Sequence, residues 1–139
     1  ATDHAPHTIQ EKELPFGQAP SGMPGVETSL TLMLNEVHKN KISLQQVVKL
    51  MSENPAKLYK LKNKGFLNKG FDADVTIVDM NLTKKILNEN MKSKCGWTAF
   101  NGYETTGWPI TTIVNGNIVF NNDKLITDVK GKKVEFEKY

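Results

Sequence analysis

Ala1-Thr2-Asp3-His4-Ala5-Pro6-His7 is the stretch on which the reading of the fold turns. It places one carboxylate and two imidazoles within five positions, with a proline between the imidazoles. Pro6 has no amide proton and steers the residue before it towards extended backbone, so His4 and Ala5 do not run on into a helix. Ala1 and Thr2 are predicted to end a β-strand, with Asp3 at its C-terminal tip and His7 on the loop that leaves it. In a barrel of alternating strands and helices, that tip is the catalytic rim. Residue types alone leave a second reading open, a solvated chain end in which Asp3 caps a turn. A metal centre needs about four ligands, and Asp3, His4 and His7 are too closely spaced for all of them to point at one ion.

Outward from this stretch, residues 8–25 read as a loop, because Pro15, Gly17, Pro20, Gly22, Pro24 and Gly25 break regular structure. It is either a connector or a rim loop whose backbone touches a ligand, with glycine at 22 permitting close approach. Val26, Leu30, Met33, Leu34 and Val37 recur at helical spacing and predict an amphipathic helix from 26 to about 38. His38, at its end, suits the helix dipole and is not assigned to the site. Ser43 is predicted to cap a second helix with Leu44, Val47, Val48 and Met51 on its apolar face. Asn54-Pro55 is expected to restart the helix, and Ala56, Leu58 and Tyr59 continue a buried face.

The character changes near Gly65. Val75, Thr76, Ile77 and Val78 predict a strand bounded by Gly70 and by Asp79-Met80-Asn81. Asp72, Asp74 and Asp79 lack the glycine and closing glutamate of a calcium loop and read as turn and edge residues. Residues 82–95 are ambiguous between an extension of the strand through Ile86 and Leu87 and a helical turn over 88–92. Asn115-Gly116 between the runs 110–114 and 117–120 is a strong hairpin signal. Residues 129–136, with a turn at Gly131, are expected to add a strand or hairpin. Trp97, Phe100, Tyr103 and Trp108 form either an aromatic binding surface or a packing contact.

Composition bounds the function. The chain has 139 residues and 38% hydrophobic content, enough for a globular core. No apolar run approaches membrane-spanning length, and no basic stretch leads into an apolar one as in a signal peptide. A net charge of +3, with lysines dispersed among acids, makes nucleic acid a poor partner. Cys95 is the single cysteine, which rules out an internal disulfide and fits a reducing, cytoplasmic setting.

Thr2-Asp3-His4-Ala5-Pro6-His7-Thr8 followed by Glu11-Lys12 resembles the last metal-binding segment of dihydroorotases. Ala19-Pro20-Ser21-Gly22-Met23-Pro24-Gly25-Val26-Glu27-Thr28 matches the partner motif of that family, at the expected distance. Asn54-Pro55-Ala56-Lys57 and the run Gly70 to Asp79 resemble the closing segments of the wider cyclic amidohydrolase superfamily, which includes hydantoinases, allantoinases and dihydropyrimidinases. The resemblance runs from Ala1 to about Val119 and corresponds to only the C-terminal third of such an enzyme. A sequence that opens inside a motif is expected to be part of something longer.

The resemblance implies an α/β fold: residues 1–64 as the C-terminal segment of a (β/α)8 catalytic barrel, and 65–139 as the C-terminal portion of a small β-sandwich. The loop at Thr98-Ala99-Phe100 departs from the family's Thr-Pro-Phe. The implied activity is reversible hydrolysis of L-dihydroorotate to N-carbamoyl-L-aspartate, in pyrimidine biosynthesis, with one or two zinc ions. Asp3 is the implied metal ligand and proton shuttle, His7 a hydrogen-bonding partner of the substrate, and Ser21 and Gly22 substrate contacts on the loop. His4 matches a motif position but receives no role. The family's other ligands, a His-x-His pair, a carboxylated lysine and two further histidines, lie upstream; this chain has three histidines and no His-x-His. Implied partners are the small-molecule substrate, the N-terminal part of the same enzyme, and a second copy or aspartate transcarbamoylase. The alternatives are another zinc cyclic amidase, or a non-catalytic dihydroorotase-like partner of aspartate transcarbamoylase, against which Asp3 and His7 argue.

Overall fold

The computed structural model describes residues 2–137. Four helices precede an antiparallel sheet: α1 (Ile9–Lys12), α2 (Ser29–His38), α3 (Leu44–Val48), α4 (Asn54–Leu58), β1 (Val75–Lys85), β2 (Glu104–Val114), β3 (Asn117–Asn121) and β4 (Lys124–Leu125). The sheet order is β1-β2-β3-β4. The β2–β3 turn is the expected hairpin. Asn115 and Gly116 both take positive φ, 48° and 79°, which the two-residue turn between right-twisted strands demands.

α2 begins at Ser29, three residues later than expected, and its buried face is not the apolar stripe. Thr31, Leu34 and Asn35 are the buried residues, while Leu30, Met33 and Val37 are half-buried. The reason lies in β2, which α2 packs against. Gly107 sits in β2 at φ 101°, and a Cβ there would lie 2.6 Å from Leu34 Cβ, so helix and strand approach at backbone range. At that distance the helix meets peptide groups, and polar side chains satisfy them. Thr31 Oγ1 donates to the Gly107 carbonyl (2.7 Å) and shares a bond with Thr105 Oγ1 (3.1 Å), and Asn35 Oδ1 accepts from the Thr106 amide (3.0 Å).

Ser43 caps α3 as expected, in a reciprocal box with Gln46. α4 begins at Asn54-Pro55, as expected, but Asn54 is a helical residue and not a cap. Lys49–Glu53 form a π-helical segment, Asn54 remains helical (φ −65°, ψ −43°), and its amide bonds back to the Lys49 carbonyl. The wider turn carries the helix up to Pro55 without a cap. Of the predicted apolar face, only Val47 is fully buried; Leu44, Val48 and Met51 are exposed.

β1 runs through Asp79-Met80-Asn81 instead of ending there. The register slips between Asp79 and Thr83, and Asp79 Oδ1 accepts the Asn81 amide, so turn-forming residues produce a bulge rather than a stop. The strand stops at Lys85 and does not take in Ile86 and Leu87. β2 begins at Glu104, so Trp108 lies in a strand and not on a loop. Asn88–Asn90 form a short 3-10 turn, as one of the two expectations had it. Residues 129–136 make no strand beyond a single bridge from Phe136 to Leu61, and β4 lies earlier, at Lys124–Leu125.

Among the described residues the fully buried apolar side chains are Leu34, Val47, Ala56 and Ile86. Phe16, Leu58, Leu67 and Leu50 are exposed. No described helix is long and apolar enough to cross a membrane.

Candidate functional site

Residues 2–7 form no regular strand; His4 makes one parallel bridge to Met23, and Ala1 lies outside the described residues. The expected strand tip is thus a strand-like segment with the loop 20–26 laid alongside it. The Ala5 amide donates to the Met23 carbonyl (3.0 Å). The Gly25 and Val26 amides donate to His4 Nδ1 (3.1 and 3.4 Å). Gly22 and Gly25 make this approach possible: a Cβ at 22 would lie 2.6 Å from Ala5 Cβ, and one at 25 would lie 3.2 Å from the Thr2 carbonyl oxygen.

The second clamp comes from α1. Thr8 and Glu11 form a capping box, with the Thr8 amide donating to Glu11 Oε2 at 2.7 Å and the Glu11 amide to Thr8 Oγ1 at 3.3 Å. The Thr8 amide and hydroxyl lower the Glu11 pKa. This one-turn helix presents Lys12, whose Nζ donates to the Pro20 and Gly22 carbonyls (2.5 and 3.0 Å). The Thr-x-x-Glu signal was present in the sequence, and it marks a helix inside what reads as loop.

Two further contacts tie this rim to the connection between β1 and β2. The Glu27 carboxylate accepts the consecutive amides of Lys92 and Ser93 (2.7 and 3.0 Å). The Trp97 indole donates to the His7 carbonyl at 2.7 Å. Trp97 thus makes a packing contact with the segment carrying His7, one of the two expectations, and not with the other three aromatics. Its supposed companions are dispersed: the Trp108 indole donates to Thr105, and the Tyr103 hydroxyl accepts from Lys39.

Asp3 adopts φ 42°, in the left-handed region that costs an L-residue strain and is met most often at functional positions. Among the described residues its carboxylate has no hydrogen bond or ion pair. His7 is half-buried, with its amide and carbonyl both engaged and its ring free of hydrogen bonds among the described residues. Ser21 and Gly22 are exposed on the clamped loop. The structure thus places the loop carrying Ser21 and Gly22 beside the segment carrying Asp3 and His7, although among the described residues no hydrogen bond or ion pair joins these four residues. A cleft of about 890 Å³ between α2 and the sheet includes His4 and Glu27 but none of the four, and Ile86, Leu87, Trp108 and Phe120 give it an apolar wall.

Asp3 supplies one carboxylate, and no group of three potential ligands occurs among the described residues. These residues do not by themselves fit a zinc site. The three aspartates of the 72–79 stretch do not gather either: Lys64 pairs with Asp72 (3.0 Å) and Asp74 (2.5 Å), and Asp74 also accepts the Asn115 amide.

Helices pack on an antiparallel sheet, with an acid and a histidine on a braced segment beside them, and residues 1–119 match the amidohydrolase family model. The chain belongs to the amidohydrolase family. Within it, the chain is 47% identical over 118 residues to the dihydroorotase of Methanosphaera stadtmanae, covering 85% of this chain and 28% of that protein. It is 42% identical over 134 residues to the dihydroorotase of Pyrococcus furiosus, covering 96% of this chain and 31% of that one. The chain thus spans less than a third of these relatives. Among solved structures it resembles the dihydropyrimidinase of Brevibacillus agri (TM-score 0.84, 31% identity, 89% of this chain and 28% of that one). It also resembles the L-hydantoinase of Arthrobacter aurescens (TM-score 0.76, 36% identity, 79% and 25%). The dihydroorotase resemblance seen in the motifs is borne out along most of the chain.

Proposed function

We propose that residues 1–139 are the C-terminal part of a dihydroorotase that interconverts L-dihydroorotate and N-carbamoyl-L-aspartate, in pyrimidine biosynthesis. Residues 1–64 would close the catalytic barrel and 65–139 would complete a β-sandwich. The observation that carries the proposal is Asp3: its backbone is strained, its carboxylate has no partner among the described residues, and it lies beside a loop held in place from two sides. Ring opening requires a hydroxyl to add to the ring carbonyl, the carbon–nitrogen bond to break, and the ring nitrogen to gain a proton. Asp3 Oδ takes the proton of the attacking hydroxyl and returns it to the nitrogen. His7 donates to a substrate oxygen, and the Ser21-Gly22 backbone lies against the substrate.

Asp3 would be one zinc ligand, with the remaining ligands outside residues 1–139. The isolated chain is expected to show neither turnover nor tight stoichiometric zinc by calorimetry. In the full-length protein, Asp3→Ala should cut kcat about 10²–10⁴-fold, the usual contribution of a positioned acid or base. Steady-state assays with dihydroorotate, hydantoin and dihydrouracil separate the readings. Preferential turnover of hydantoin or dihydrouracil would make the protein a hydantoinase-type amidase. No turnover of any of them would favour a non-catalytic partner of aspartate transcarbamoylase.

A further inference from the structure

His4 has no role in the proposed reaction, yet among residues 2–7 its ring is the one side chain that hydrogen-bonds to the loop. Nδ1 accepts the Gly25 amide at 3.1 Å and the Val26 amide at 3.4 Å. A nitrogen that accepts carries no proton, so the neutral ring bears its hydrogen on Nε2. The other ties between the two segments, from the Ala5 amide to the Met23 carbonyl and the close pass of Gly25 by Thr2, are backbone features that any sequence with glycine at 25 can make. Ala5 Cβ limits how closely Gly22 can approach, and His4 alone among residues 2–7 holds the loop by side-chain hydrogen bonds. It does so one residue from Asp3, at the end of the loop opposite to Ser21 and Gly22, where Lys12 holds the Pro20 and Gly22 carbonyls.

We propose that His4 is a positioning residue that sets the height of the 20–26 loop against Asp3 and His7. It ligates nothing and does not touch substrate. The loop is then braced at both ends, by the Lys12 ammonium at its start and the His4 imidazole at its finish. Substrate that spans Asp3 and the Ser21-Gly22 backbone meets a gap whose width His4 defines. This deepens the dihydroorotase reading and rests on it for the substrate.

The test uses the full-length protein with His4→Ala, His4→Asn and His4→Gln. Asparagine places its side-chain oxygen where Nδ1 stands, and glutamine places its oxygen near Nε2. Loss of two amide hydrogen bonds should speed hydrogen exchange at Gly25 and Val26 about ten-fold in His4→Ala and His4→Gln, with His4→Asn close to wild type. KM for dihydroorotate should rise by a similar factor in the first two variants, with kcat and zinc content little changed, and return towards wild type in His4→Asn. Exchange unaltered in His4→Ala, or His4→Asn as impaired as His4→Ala, overturns the proposal. So does loss of zinc in all three variants, which would make His4 a ligand. If the wild type does not turn over dihydroorotate, the functional reading falls, while the exchange pattern still decides the role of His4.

Discussion

Replacing Gly22 with alanine should damage the site out of proportion to the methyl group added, and Gly17→Ala supplies the control. The two glycines have nearly the same backbone, φ 89° at Gly22 and 87° at Gly17. Left-handed backbone costs an alanine roughly 1–2 kcal/mol at either position. Their surroundings differ: a Cβ at Gly17 meets nothing within 4 Å, whereas one at Gly22 would lie 2.6 Å from Ala5 Cβ. Unstrained carbons sit about 3.5–4.0 Å apart, so the loop must retreat from residues 2–5 by about 1 Å. That shift would stretch the Lys12–Gly22 and Ala5–Met23 hydrogen bonds, each 3.0 Å long, towards 4 Å. At about 1 kcal/mol per bond, Gly22→Ala should lose about 2 kcal/mol more than Gly17→Ala by urea unfolding of the full-length protein. A 1 Å misplacement at a reacting centre costs about 100-fold, so kcat/KM for dihydroorotate should fall by about that factor in Gly22→Ala and stay near wild type in Gly17→Ala. Equal losses of stability and activity in the two variants would refute the reasoning, because the contact with Ala5 would then count for nothing.

Thr31→Val keeps the shape of a buried side chain but strands the Gly107 carbonyl and the Thr105 hydroxyl. It should cost roughly 1–3 kcal/mol, and a change in unfolding midpoint below the error of the measurement would show that α2 is not held to β2 by these bonds. The Lys64 clasp predicts a pH profile. Burial raises the Asp74 pKa, but the Asn115 amide and the Lys64 ammonium outweigh it, and the carboxyl ends below its ordinary value. The Asp74 carboxylate raises Lys64 in turn. A depressed acid stabilises above its unfolded pKa of about 3.9, and a raised lysine stabilises below its unfolded pKa of about 10.4. The stability gap between wild type and Lys64→Met should therefore be flat from about pH 5 to 9 and narrow as pH falls below 4 or rises past 10.4. A gap that closes near pH 7 would assign it to some other group.

The parts of this fold that the sequence announces are those whose cause is local. The β2–β3 hairpin needs positive φ at two adjacent positions, and Asn115-Gly116 supplies it whatever the rest of the chain does. Ser43 and Gln46 cap α3 within four residues of each other. The misread parts depend on a distant partner. The inner face of α2 carries Thr31 and Asn35 because the backbone of β2 presses against it, and no helical periodicity reveals a peptide group more than seventy residues away. Leu44, Val48 and Met51 have the right spacing for a core but no described partner covers them. At the site, Asp3, His7, Ser21 and Gly22 stand out by their letters. Lys12 and Glu27 stand inside the matched motifs without a role, and Trp97 reads as a loop aromatic, until the chain folds back and gives them backbone groups to hold.

The bond from the Trp97 indole to the His7 carbonyl joins residues ninety positions apart, and the Glu27 carboxylate reaches sixty-five positions to the Lys92 amide. Closing loops of that length carries an entropy cost that short-range helices do not face, and chains rich in such closures fold slowly. The helices can form early from near neighbours, but His7 is not anchored until β1 has turned back into the connection that bears Lys92, Ser93 and Trp97. The rim thus waits on closures as long as those that seat α2 on β2, so slower sheet formation also delays the anchoring of His7 and Glu27.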